Sequence, residues 1–354
     1  MQCVTPMFRC YQLGEYSKGK VVPREEVIDI LRIHDPNYIR QCVDEINAYN
    51  RKRGTGKIYE TIPCNNCYAC KLNNSAQWAT RDVLECEDHD HRYWITLTYD
   101  EEHLPIYKYF TDGENYFEND GTWTGTLEPE DVDKFMNSLR KYFERKGITG
   151  IRYYYAGEYG SLNGRPHYHM LLWGTPLDLS QFYDFHVDDR HKLHWKSKEI
   201  DHFWGKGFAD ITEIEWSNAA YTARYTMKKL TDMSHSETFY AEQGKLKEFV
   251  RMSRRPGIGM KYFERHYKDI YKDDELIMKT VKGNTGSIKP PKAFDRKFKE
   301  LYPTEFEIIK KDRLKAAERS RKLELSKSDY TDLERLQNKA EKVATKAKML
   351  PREL

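Results

Sequence analysis

The sequence predicts an α+β fold in which a central antiparallel sheet is covered by flanking helices, followed by a helical C-terminal tail. Three observations carry this expectation. Tyr93 to Tyr99 alternates β-branched and aromatic residues with a period of two, the pattern of a strand. Behind Pro129, the residues Val132, Phe135, Met136, Leu139 and Phe143 recur at helical spacing with charged residues between them. Ile151 to Gly174 holds two β-prone runs on either side of Ser161-Leu162-Asn163-Gly164, the pattern of a hairpin. With a helix read downstream, the order strand, helix, hairpin, helix fits an antiparallel sheet under helices.

Length and charge set the bounds. A chain of 354 residues can bury a full core. No apolar run reaches the ~18–20 residues that span a bilayer, and the N-terminus lacks the charged-then-apolar pattern of a signal peptide, so a cytoplasmic protein is expected. The net charge is only +3, and the positive excess lies in the tail, where residues 296–354 carry 17 basic against 11 acidic side chains. Any contact of the core with nucleic acid must therefore rest on local patches.

From Met1 to Tyr59 the chain shows a helix-like patch around Ile39 to Tyr49 and a basic turn at Arg51-Lys52-Arg53-Gly54, read as an extension packed on the core, a DNA-contacting arm or a solvated loop. The seven cysteines, an odd number without a secretion signal, argue for reduced thiols or metal rather than disulfides. Cys64, Cys67 and Cys70 have the two-residue spacing of a knuckle around tetrahedral zinc, yet a closed site needs a fourth ligand, which Cys3, Cys10 or Cys42 could supply. Three free thiols at a helix start is the alternative.

Leu72 to Cys86 reads as a helix, and the strand at 93–99 follows it. His103 is placed in the loop after that strand, and Tyr109 to Gly125, dense in Asp, Asn and Gly, as an insertion hairpin or flexible loop.

The hairpin is where chemistry gathers. If Gly160 faces Arg165 across the loop, counting back pairs Glu158 with His167, and opposed residues of an antiparallel pair project from one face. His169 joins that face and Tyr168 leaves it. Two imidazoles and a carboxylate suit an octahedral divalent ion that keeps positions open for water or substrate. A structural pair of strand histidines is the alternative reading.

Between Leu177 and Asp210 the irregular spacing of His186, His191, His194 and His202 reads as surface or packing residues rather than a second metal site. Ala209 to Trp216 reads as a strand delivering a helix that runs from Trp216 to Lys229. In that helix Tyr221 and Tyr225 are four apart, with Cβ atoms ~5–6 Å from one another on one face, and Lys228 follows within a turn. A helix burying two aromatics is the bland reading. The neighbouring Arg224, Lys228 and Lys229 suit a phosphate-lined groove better.

Arg251, Arg254 and Arg255 offer guanidinium forks that suit phosphate or simply a surface turn. Pro290-Pro291 marks a boundary. Beyond it Leu333, Leu336, Ala340, Val343, Ala347 and Leu350 step by three and four as a helix, too short for an independent coiled coil.

Several islands together, WITLTYDEEHLP at 94–105, GEYG at 157–160, RPHYHMLLWG at 165–174, AAYTARYTMKK at 219–229 and SRRPGIG at 253–259, along with the Cys triplet, resemble the HUH endonuclease superfamily. Within it they are most similar to the gokushovirus-type rolling-circle replication initiators of microviruses. The resemblance implies a site-specific endonuclease and joining enzyme that nicks a viral origin through a 5′-phosphotyrosine intermediate. It implies Tyr221 and Tyr225 as alternating nucleophiles helped by Lys228, Mg2+ or Mn2+ on Glu158, His167 and His169, and Arg165, Arg224, Lys229, Arg254 and Arg255 against DNA. A structural Zn2+ on Cys64, Cys67 and Cys70 is a further candidate, to which the resemblance assigns no role. The partners expected are single-stranded DNA and the replicative-form origin, with room for a host helicase and polymerase, no membrane, and a setting in the cytoplasm of a bacterial host.

On this reading residues 1–90 form an N-terminal extension with the Cys knuckle, 91–289 the endonuclease domain and 290–354 a basic helical tail. A plasmid relaxase or HUH transposase is the alternative among enzymes, although the chain has no GxxxxGK[ST] loop of a fused helicase. A non-catalytic zinc-knuckle protein that binds nucleic acid is the alternative from another class.

Overall fold

The computed structural model describes residues 7–12, 20–22, 47, 50–52, 57–65, 67–105, 125–160, 164–189, 191–228, 240, 244–279, 285–327 and 332–349. The chain divides into two compact units, Met1–Asn74 with Lys310–Pro351, and Ser75–Ile309 with Arg352–Leu354.

In the first unit β1 (Met7–Gln12) pairs antiparallel with both β2 (Lys20–Val22) and β3 (Lys57–Ile62), giving the order β2-β1-β3. The sequence reading held no strand here. Arg51 and Lys52, expected in a basic turn, are exposed and helical, while Arg53, Gly54 and most of 39–49 lie outside the described residues. Helix α1 (Tyr68–Glu85) starts one turn before the expected Leu72, so that Cys70 lies inside it.

The second unit is built on a seven-stranded sheet. Its members are β4 (Arg92–Tyr99), β5 (Arg152–Tyr159), β6 (Pro166–Trp173), β7 (Phe182–Val187), β8 (Leu193–Ser197), β9 (Gly207–Glu213) and β10 (Phe249–Met252). Their order is β10-β5-β6-β4-β9-β8-β7, and every pairing is antiparallel. β4 and β6, the most apolar runs, are central, as burial on both faces requires. Gly207 closes the end of β9 against β4 at φ +139, where a Cβ would collide with the backbone of Thr98 and Asp100, so only glycine fits.

Alternation sorts the sheet into two faces. One carries Ile95, Leu97, Tyr155, Tyr168, Met170, Leu172 and Ile211, and α2 (Pro129–Arg145) closes it with Val132, Phe135, Met136, Leu139 and Phe143, all buried. Each such side chain contributes roughly 1.5–3 kcal/mol as an upper estimate. Helix α2 starts where Glu128 accepts from the Glu130 N–H at 3.3 Å with Pro129 in the first turn, two residues later than a Thr126 start. The short α3 (Lys198–Trp204) adds Ile200 and Trp204 to the same core.

The opposite face carries Trp94, Tyr154, Ala156, Leu171 and Trp173, packed with Ala79, Cys86, Ala219 and Tyr221 from α1 and its end and from α4 (Trp216–Lys228). A third cluster joins Leu84 to α5 (Met260–Asp273) and α6 (Lys292–Leu301) through Phe263, Ile270, Phe294 and Phe298, beside the hairpin of β11 (Leu276–Lys279) and β12 (Thr285–Ile288).

The expected C-terminal helix is three. α6 ends at Leu301, α7 (Pro303–Leu325) restarts with proline in its first turn, and α8 (Asp332–Met349) follows. In the first unit Lys339 of α8 pairs with Glu324 of α7 at 2.6 Å. The expected loop at 109–125 lies outside the described residues apart from Gly125. No helix among the described residues is long and apolar enough to cross a membrane.

Candidate active site

The turn between β5 and β6 is closed by the Gly160 N–H donating to the Arg165 carbonyl at 2.9 Å, so Glu158 stands opposite His167 and Ala156 opposite His169. Across β6 the register continues to β4, placing Thr96 opposite His169 and Thr98 opposite His167. Glu158, His167 and His169 therefore occupy one face, and their ligand atoms converge. Glu158 Oε1 lies 2.6 Å from His167 Nε2 and 2.7 Å from His169 Nε2.

The hydrogen bonds behind the rings fix what these nitrogens offer. His167 Nδ1 lies 3.1 Å from the Arg165 carbonyl, which can only accept, so Nδ1 carries the proton and a neutral ring presents a bare Nε2. His169 Nδ1 lies 3.0 Å from Thr96 Oγ1, which leaves its Nε2 facing Glu158. A bare imidazole nitrogen against a carboxylate oxygen at 2.6 Å sets lone pair against lone pair, and a cation between them relieves it. Burial alone would raise the Glu158 pKa. The two imidazoles outweigh burial and hold it below the usual glutamate value.

Glu158 is 1 % exposed, and its Oε2 is buried with no hydrogen-bond partner among the described residues. Two imidazoles and a carboxylate with a spare buried oxygen are a donor set for a divalent ion. Octahedral donors at ~2.1 Å stand ~3.0 Å apart, so the observed spacing needs only a few tenths of an ångström of opening.

The tyrosine helix lies against this trio. Its start is fixed by the Asn218 side chain, which accepts from the Glu215 N–H at 2.7 Å and donates to the Glu213 carbonyl at 2.8 Å. The Trp94 indole N–H donates to Thr222 Oγ1 at 2.9 Å. Trp94 also stacks on His169, and the Tyr221 ring meets His169 edge-on with centroids 5.2 Å apart. Tyr221 is 3 % exposed. The backbone is helical to Lys228, so positions 221 and 225 share one helical face. The side chains of Arg224, Tyr225 and Lys228, and all of Lys229, lie outside the described residues.

The remaining expected residues sit apart from the trio. Arg165 donates through Nε and Nη2 to the Tyr99 carbonyl at 3.1 and 2.8 Å and pairs with Glu101 at 2.5 Å, tying the start of β6 to the end of β4. Arg254 and Arg255 are exposed in the turn before α5. His103 pairs with Asp100 at 2.8 Å in its loop.

In the first unit Cys64 and Cys70 have sulfurs 4.0 Å apart, and the Cys67 N–H donates to Cys64 Sγ at 3.2 Å. Sulfurs at ~2.3 Å from a tetrahedral zinc stand ~3.8 Å apart, so the triplet fits zinc in spacing. No fourth cysteine or histidine joins the group among the described residues, and Cys3 and Cys42 lie outside them. The buried Lys71 beside the triplet has its pKa lowered by burial, against which Cys64 and Cys67 act.

Two features escaped the sequence. The 253–259 turn is held from below, because the Arg152 guanidinium donates to the Pro256 carbonyl at 2.7 Å, Arg81 to the Ile258 carbonyl at 2.9 Å and the Gly259 N–H to Glu85 Oε2 at 2.5 Å. The structure also brings His186, His194 and Asp210 together, while His191 and His202 join no such group among the described residues.

Comparison with known proteins places these features in context. The family described as Replication-associated protein ORF2 matches residues 92–230, a span holding the trio and the tyrosine helix. The chain is 38 % identical over 281 residues to the replication-associated protein ORF2 of Spiroplasma virus 4, covering 78 % of this chain and 80 % of that one. It is 26 % identical over 263 residues to the replication-associated protein VP4 of Bdellovibrio phage phiMH2K, covering 73 % and 74 %. With the replication-associated protein ORF4 of Chlamydia phage 1 it shares 24 % over 229 residues, covering 59 % and 53 %. No solved structure matches the chain.

Proposed function

The chain belongs to the microvirus-type family of replication-associated proteins, and on that premise we propose that it nicks and rejoins single-stranded viral DNA at a replication origin through a tyrosine–phosphate link. The observation that carries the proposal is the Tyr221 ring set 5.2 Å from the ring of His169, itself converging with His167 on Glu158.

In this reading a phenol oxygen of Tyr221 or Tyr225 attacks the scissile phosphorus. The P–O3′ bond breaks, the 3′ oxygen takes up a proton, and the 5′ phosphate stays on the tyrosine. Joining runs the steps in reverse, a 3′-OH displacing the phenol. An Mg2+ or Mn2+ ion held by Glu158, His167 and His169 would supply positive charge to the non-bridging oxygens. Thr96 and the Arg165 carbonyl orient the two imidazoles, and Trp94 excludes water from one face of His169. A free phenol ionises near pH ~10, so Lys228 one turn away favours the phenolate. Two tyrosines let one hold the displaced strand while the other cuts the regenerated origin.

Residues 91–289 carry this chemistry, with 1–90 and 290–354 as accessories. Arg224, Lys229, Arg254 and Arg255 serve as phosphate contacts beside Arg165, and Cys64, Cys67 and Cys70 hold a structural zinc. A host helicase and polymerase are the expected partners, in the cytoplasm of a bacterial host.

Incubation of the purified chain with an end-labelled single-stranded origin oligonucleotide and Mn2+ tests the proposal. A covalent adduct that resists denaturation is expected, lost on chelation and in the Tyr221→Phe, Tyr225→Phe double variant. Reversible binding with no adduct would favour the non-catalytic reading, and an adduct surviving in the double variant would remove the tyrosines from the chemistry.

A further inference from the structure

His194 on β8 and Asp210 on β9 face one another with Nδ1 and Oδ2 at 2.5 Å, while His186 of β7 directs Nε2 toward Asp210 Oδ1 at 4.0 Å. The two imidazoles are stacked, with centroids 5.2 Å apart and planes 24° apart. They come together because the β7–β8 pairing shifts register between Tyr183 and His186, which restores His186 opposite His194. From these positions we propose that His186, His194 and Asp210 form a second divalent-cation site, one that takes a transition ion of the Zn2+ class.

The donor chemistry argues for an ion of that class. Two imidazoles and one carboxylate favour the later first-row divalent ions over Mg2+ or Ca2+. The ligand atoms all lie within 4.8 Å of one another. His186 Nε2 is too far from Asp210 for a hydrogen bond, yet it stands at the separation of two donors that share one ion. His194 Nε2, the other ring nitrogen, is buried without a hydrogen-bond partner, and the nearest carboxylate oxygen, on Asp188, lies 3.5 Å away. Asp188 is thus placed as the outer carboxylate that a ligating imidazole commonly has behind it.

The rival is a His194 imidazolium between Asp188 and Asp210. That arrangement accounts for one ring and leaves the stacked His186 with no role.

The site's place in the sheet gives it a consequence. Asp210 pairs with Thr96, and Thr96 pairs with His169. The second site therefore lies on the same sheet face as the Glu158 trio, two strands away, or ~10 Å at the backbone. With neutral imidazoles, Asp188 and Asp210 set two negative charges beside a face expected to receive phosphates. A bound divalent ion cancels them and ties the β7–β8 hairpin to β9.

The test is a count of bound ions on the full chain, stripped by chelation and titrated with Zn2+. His186→Ala and Asp210→Asn should each lose one tightly held equivalent and the accompanying rise in thermal stability, while Glu158→Gln should keep both. A folded His186→Ala, Asp210→Asn double variant that retains every equivalent would overturn the site. Should those variants not fold, substoichiometric Co2+ on the unaltered chain decides through histidine ring NMR. Selective shifting of His186 and His194 signals supports the site, and shifts confined to His167 and His169 overturn it. The outcome is independent of nicking, because no DNA is present.

Discussion

The indole of Trp94 lies parallel to the imidazole of His169, with 4.9 Å between centroids and 7° between planes. The same indole donates its N–H to Thr222 of the tyrosine helix. One side chain of the central strand thus orients both a proposed ligand and the element that carries the proposed nucleophile.

Trp94→Phe keeps a ring on His169 and loses the bond to Thr222, at an expected cost of about 1–3 kcal/mol in denaturant unfolding. Trp94→Ala removes the stack as well. If Trp94 positions His169, the alanine variant should weaken Mn2+ binding at the trio by roughly 10–100-fold, as loss of other supporting groups does, and the phenylalanine variant by much less. Equal Mn2+ affinity in both would reduce Trp94 to a packing residue.

The trio itself is tested by removal. His167→Ala or His169→Ala should slow adduct formation by roughly 10³-fold or more, the loss of several kcal/mol of charge stabilisation, with excess Mn2+ giving partial rescue. Rates within tenfold of the unaltered protein would remove the trio from the chemistry.

Asp82 lies wholly buried in α1, and neither carboxylate oxygen has a hydrogen-bond partner among the described residues. Burial raises its pKa well above the ordinary aspartate value, with Arg81 acting against the rise and Glu85 adding to it. The folded chain holds this proton more tightly than the unfolded chain. Stability therefore declines as pH climbs from the ordinary aspartate range toward the elevated folded value. Asp82→Asn should remove that decline and raise Tm at pH 7, by about 2–4 °C for each kcal/mol recovered. A Tm that falls equally at pH 5 and pH 7 would count against a buried, strained acid.

Much of this was legible in the sequence, for local reasons. Period-two alternation located β4, and the turn length set the register that puts Glu158 opposite His167. What stayed hidden depends on distant partners. Nothing local pairs Glu85 with Arg152, although both are buried and touch. The His186 and His194 spacing looked irregular because a register shift lies between the strands that carry them. The N-terminal strands are short, and β1 pairs with β3 across an interval of 44 residues between Gln12 and Lys57, beyond the reach of a pattern read along the chain.

The tyrosines allow a sharper separation of packing from chemistry. Tyr221 is nearly fully buried between His169 and Trp94, so Tyr221→Ala would open a cavity at about 3–5 kcal/mol and confuse unfolding with lost catalysis. Tyr221→Phe keeps the ring and should unfold within about 1 kcal/mol of the unaltered chain. With chemistry isolated in this way, two nucleophiles on one helical face predict a specific product pattern. Each single Phe variant should still form an adduct on a one-site oligonucleotide, because one phenol remains. On a strand with two origins, cutting the second site while the first link persists needs both phenols, so each single variant should yield linear strands and the unaltered chain closed circles. Circles formed at the normal rate by either single variant would mean that one tyrosine suffices, and that the helical repeat of the pair serves packing.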